Sequence, residues 1–130
     1  MIIVISSLKQ LDLLSRQKYE IQEKYRPDWC QPEKYIEELY KEIDEVKEEI
    51  KYNNAIYLQD ELGDIIWDFL GLVESLRRQW MIDSLEEILV MAEKKYRERL
   101  EVCSNQWWRK QVKEQQKIEL AQKHQARYGI

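Results

Sequence analysis

At 130 residues, 35% of them charged and with a net charge of −4, the chain fits one domain with a single modest core. Three glycines and two prolines leave too little punctuation for a β fold, and the long periodic segments predict an all-α protein, a four- to five-helix bundle. Two cysteines and one histidine make a disulfide framework or a zinc site a poor fit, and the acidic balance argues against a nucleic-acid polymer as partner.

That charge is unevenly spread. Residues 1–103 hold 23 acids against 15 lysines and arginines, whereas residues 104–130 hold two acids against six. The expected division is therefore a body over 1–103 and a basic, Gln-rich helical extension over 104–130. The apolar start, Met1 to Ile5, is too short to span a bilayer and lacks a cationic flank. A cytoplasmic protein with no membrane partner is expected, and Cys30 and Cys103 are read as reduced thiols.

In chain order, Ser6 and Ser7 offer an N-cap to a first helix over Leu8, Leu11, Leu14, Tyr19 and Ile21, ending near Lys24 before Arg26-Pro27. A loop carrying Trp29 follows, and Pro32 suits the first turn of the next helix, where its missing donor costs nothing. That second helix is expected over about 32–52 and a third over about 56–79. Ile36, Leu39, Ile43, Val46 and Ile50, then Leu58, Leu62, Ile65, Phe69, Leu72, Val73 and Leu76, recur at the helical period. Asn53 and Asn54 tolerate the left-handed conformation that ends helices, so the two form an antiparallel hairpin. Gly63, in mid-helix at a cost of about 1 kcal/mol relative to Ala, predicts close approach of another helix or a ligand. Asp83 or Ser84 caps a fourth helix through Leu85, Ile88, Leu89, Met91, Ala92, Tyr96 and Leu100. Trp107 and Trp108 are read as anchors of a last helix on the body or on a neighbouring subunit, with fraying beyond about Leu120.

The hairpin carries two pairs of acids, Glu42 with Glu45 and Glu61 with Asp64. Counting outward from the turn, Glu42 stands level with Asp64 and Glu45 with Glu61. Each pair lies on the flank of its own apolar stripe, in the same rotational sense, so all four fall on one side of the helix seam. Within a pair the acids are one turn apart, a rise of about 4.5 Å. Four such charges repel by about 1 to 4 kcal/mol per close pair unless a cation sits among them. An oxygen-only set suits a hard cation, Mg²⁺ or Mn²⁺. The alternative is an ordinary solvated acidic face on a helical interaction module with no catalysis.

The strings KEIDEV at Lys41 to Val46 and DELGDIIWDFL at Asp60 to Leu70 resemble the MazG-type all-α nucleoside triphosphate pyrophosphohydrolases. The family's Glu-x-x-Glu and Glu-x-x-Asp fall on Glu42, Glu45, Glu61 and Asp64. The resemblance implies that these four hold Mg²⁺ or Mn²⁺ and that a nucleoside triphosphate is hydrolysed to monophosphate and pyrophosphate. It also implies a homodimer or homotetramer that walls in the nucleotide. Asp28-Trp29-Cys30 is a scrambled echo of a family motif, so Trp29 has two readings, stacking on a base or covering the end of the core. Where many members have a further Glu, this chain has Lys41; Glu38, one turn before Glu42, offers a replacement carboxylate, leaving Glu38 and Glu45 both open as general base. Asp68 shares the flank of Glu61 and is a candidate for the substrate side. Lys95 and Arg99 fall where the family has a Lys-x-x-x-Arg, implying phosphate contacts; otherwise they pair with Glu98 or Glu101. Related substrates also fit: dUTP, phosphoribosyl-ATP or an alarmone nucleotide.

Overall fold

The computed structural model describes residues 2–130. Among them the fold is all-α: five helices and no strand, namely α1 (Ile2–Tyr25), α2 (Pro32–Glu49), α3 (Ala55–Arg78), α4 (Leu85–Glu101) and α5 (Gln106–Tyr128). A short 3₁₀ turn, Pro27–Cys30, joins the first two. None of these helices is long and apolar enough to cross a membrane. Contacts divide the chain into two compact units, one ending at Leu85 and the other spanning Glu86–Ile130. The division expected at 103/104 follows composition; the division by contacts falls at 85/86.

In the first unit α2 packs along α3, and α1 lies against α3 as well. The turn between α2 and α3 is tied by Asn54, whose side-chain amide donates to the Glu49 carbonyl at 2.8 Å and to Glu49 Oε2 at 2.6 Å. Those bonds end α2 at Glu49, three residues before the expected Tyr52. Asn53 adopts the left-handed conformation, φ 57°, that its side chain makes accessible. The core is narrow: Tyr19, Cys30, Tyr35, Leu70, Val73 and Leu85 are its buried apolar side chains. Cys30 is stitched between two helices, its thiol donating to the Tyr19 carbonyl and its own carbonyl accepting from Ser75 Oγ at 2.5 Å.

Two further helix ends differ from expectation. Ser6 and Ser7 lie inside α1, because nothing between Ile2 and Leu8 breaks a helix already nucleated downstream. At the other end α5 does not fray at Leu120; Ala, Gln, Lys and Arg are good helix formers, and Gly129 at φ 75° closes it with its N–H on the Gln125 carbonyl.

The second unit is a hairpin of α4 and α5 with a polar seam. Gln116, 8% exposed, accepts from Arg99 and donates to Glu98 and to the Lys95 carbonyl. Lys94 reaches Glu119 and Lys123 reaches Glu87 across the same seam. Trp107 and Trp108, expected as anchors, pack edge to face on each other at 4.5 Å and stand 58% and 51% exposed.

Candidate metal centre

Val46 on α2 and Ile65 on α3 are half-buried where the two helices pack, whereas Ile43 and Leu62 stay exposed, and the two acid pairs lie beside these positions along the hairpin. The result is a cage: one carboxylate oxygen from each of Glu42, Glu45, Glu61 and Asp64, all within 4.8 Å of one another. The juxtaposition expected from the turn-symmetric heights is therefore present. Glu42 Oε2 and Glu61 Oε2 are buried and have no hydrogen-bond partner. A buried, unpartnered carboxylate oxygen is costly unless a proton or a cation occupies the space in front of it.

The protonation behaviour of the cage follows from the same crowding. The Glu42 carboxyl is pushed from 4.5 up to about 8, by burial first, then by hydrogen bonding with Glu45 and by the charges of Glu45, Asp64 and Asp68. Burial also raises Glu61, with Glu45 and Asp64 adding repulsion, and it raises Asp64, with Asp60 and Glu45 adding theirs. These are like charges held together by two rigid helices. The donor set contains oxygen only and, with two buried carboxylate oxygens left unpartnered, fits a hard divalent cation.

One turn beyond Asp64 on α3, Asp68 is buried and its carboxyl raised, by burial and by Glu38, Asp64 and Glu45, with Lys18 working in the opposite direction. Lys18 of α1 was not singled out from the sequence. Its ammonium lies 5.2 Å from the ring centre of Trp67 and 5.9 Å from that of Tyr35. The only hint in the string is its place on the face of α1 that carries the buried Ser15 and Tyr19, too weak a signal without the packing of α1 on α3.

The other candidate residues are placed as follows. Glu38 is exposed and accepts from Lys41 at 3.1 Å, so the lysine that replaces the family's extra acid is paired with its proposed substitute. Glu45 is exposed within the cage. Trp29 is 45% exposed with the Arg26 guanidinium stacked 4.7 Å from its ring centre. Lys95 and Arg99 belong to the second unit, where both approach the Tyr96 ring and Arg99 donates to Gln116. Gly63 does not provide the close helix approach expected of it: a Cβ there would meet nothing within 4 Å among the described residues. That role falls to Gly71, where a Cβ would come within 2.3 Å of the Tyr35 ring.

The fold is thus an all-α hairpin that brings four carboxylates together where they could hold a metal ion. The MazG nucleotide pyrophosphohydrolase domain model matches residues 30–104, more than half of the chain and including the whole cage, and the protein belongs to that family. No curated protein and no solved structure matches it.

Proposed function

We propose that the protein hydrolyses nucleoside triphosphates, ribo- or deoxyribo-, to the monophosphate and pyrophosphate, using Mg²⁺ or Mn²⁺. The observation that carries this reading is the cage, with its two buried unpartnered oxygens, inside the span matched by the family. Glu42, Glu45, Glu61 and Asp64 would hold the ion. A divalent cation there supplies charge neutralisation at the phosphate oxygens and lowers the pKa of water beside it. The chain's own part is to keep the carboxylates converged on rigid helices and to leave one to take a proton from the attacking water. Glu45, exposed at the cage, and Glu38, one turn away, are the candidates for that base. Asp68, Trp29, Lys95 and Arg99 are proposed for the substrate.

A homodimer or homotetramer completes the reading. Ile36 and Ile43 on α2 and Leu62, Ile66 and Phe69 on α3 remain 38–47% exposed, an apolar strip on the catalytic hairpin itself. A second copy of the same hairpin would cover it and wall the nucleotide from water. The free thiols Cys30 and Cys103 suit a reducing, cytoplasmic setting.

A panel of triphosphates at fixed Mg²⁺, with dUTP, phosphoribosyl-ATP and an alarmone nucleotide included, tests the activity by pyrophosphate release and ranks the substrates. Calorimetry with Mg²⁺ and a non-hydrolysable triphosphate provides the opposite outcome: no metal-dependent binding would leave the acids as surface charge on an interaction module.

A further inference from the structure

The proposed reaction brings a polyanion to a wall of carboxylates, so beyond the cation in the cage it calls for a positive group nearby. Lys41 is hydrogen-bonded to Glu38, Lys34 lies 3.6 Å from Glu37, and Arg16, Arg77 and Arg78 are gathered on Glu74. Lys18 is placed differently. It forms no ion pair within 4.0 Å among the described residues; two aromatic rings hold its ammonium instead. Ring faces attract a cation but accept none of its hydrogen bonds in the way an oxygen does, so its three N–H donors remain available. Trp67 under that ammonium is three residues past Asp64, and Asp68, whose carboxylate feels the Lys18 charge, is four past it, about 6 Å along the helix.

Resting on the pyrophosphohydrolase reading, we infer that Lys18, carried on α1, is a phosphate-binding residue that takes the part of the triphosphate extending beyond the cage along α3. Trp67 and Tyr35 aim the ammonium without neutralising it. The site is then built by three helices, and α1, which lies wholly outside the family span, becomes part of the binding surface.

The test compares Lys18→Met and Lys18→Arg with the wild-type chain. Methionine preserves an apolar stem over the rings and removes the charge; arginine keeps a cation that stacks equally well. Probes are Mn²⁺ alone, a non-hydrolysable nucleoside triphosphate with Mg²⁺, and the corresponding nucleoside with no phosphate. For Lys18→Met the triphosphate should bind about 10- to 100-fold more weakly, the loss typical of a hydrogen bond to a charged group. Lys18→Arg should recover most of that affinity, and Mn²⁺ alone should bind Lys18→Met no more weakly than wild type. Equal triphosphate affinity in Lys18→Met and wild type would overturn the role of Lys18 while leaving the hydrolase reading intact. Loss of Mn²⁺ or nucleoside binding in parallel with the triphosphate would also overturn it, since the lysine would then merely support the fold of the site. A wild-type chain that binds no triphosphate in Mg²⁺ would remove both proposals together.

Discussion

Helix α3 carries a glutamate toward each end, Glu74 buried and Glu61 half-buried, and the two are treated in opposite ways. Near its C-terminus Glu74, 1% exposed, accepts from Arg77 and Arg78 at 2.7 Å, and those guanidiniums bring its carboxyl below the usual range despite its burial. Near its N-terminus Glu61 has a buried oxygen with no partner and faces three further acids. The same helix thus holds one acid matched by arginines and one crowded by other acids, and the second is where we propose that a cation is admitted.

The sharpest way to break that comparison is to neutralise one acid at each end. Glu61→Gln should lower metal-dependent pyrophosphate release on the order of 100- to 1,000-fold, the several kcal/mol that a metal contact supplies, with helical content retained in circular dichroism. Undiminished turnover would dismiss the cage as the reacting centre. Glu74→Ala should do the reverse. It takes the carboxylate from Arg77, while Arg16 and Arg78 keep Asp12 and Glu20, costs about 2 to 4 kcal/mol in denaturant unfolding, and leaves the affinity of the remaining folded protein for Mn²⁺ intact.

Opposite pKa shifts give opposite pH dependences. The folded-state carboxyl of Glu74 lies below its unfolded value, so its contribution is present above about pH 4.5 and lost on acidification through the lower folded value. The Glu42 carboxyl is raised in the folded state from 4.5 to about 8. Its contribution is complete below the unfolded value and is lost as pH rises toward 8, where the cage charges repel. Metal-free protein should therefore gain stability between pH 8 and 5, a gain that saturating Mg²⁺ or Glu42→Gln removes. At Mg²⁺ one hundred times its dissociation constant the fold should be stabilised by about 2.7 kcal/mol, and calorimetry near pH 7 should record proton release on binding. A thermal midpoint for metal-free protein that falls steadily between pH 8 and 5 would contradict the raised value at Glu42.

The cage was legible in the string because it depends on local periodicity and one turn. Given two helices and Asn53-Asn54, the heights and flanks of Glu42, Glu45, Glu61 and Asp64 follow by counting. What was not legible depends on contacts between distant segments. Lys18 meets Trp67 only because α1 lies on α3, and nothing in its neighbours announces that packing. The pairing of Glu74 with Arg77 and Arg78 is local, at i,i+3 and i,i+4; what the string hides is the burial of Glu74, where Arg16 of α1 also comes within 3.9 Å. The far end of α5 departs from the expectation because sparse apolar residues do not preclude a helix: intrinsic propensity and a C-terminal glycine carry it to Tyr128.

The two glycines of α3 offer the finest discrimination between its ends. At Gly71 an added methyl meets the Tyr35 ring at 2.3 and 2.6 Å, so Gly71→Ala should cost about 1 to 3 kcal/mol as α2 is pushed from α3. Gly63, between Glu61 and Asp64, has open space around it, and Ala there should raise stability by about 0.5 to 1 kcal/mol through helix propensity alone. Activity separates two causes for its presence. If turnover is unchanged in Gly63→Ala, the glycine is only a weak point in the helix. A fall in turnover with the stability gain intact would instead mean that a nucleotide or a second copy of the chain comes close to α3 beside the cage, where Gly71 has shown how closely a ring can approach this helix when the methyl is missing.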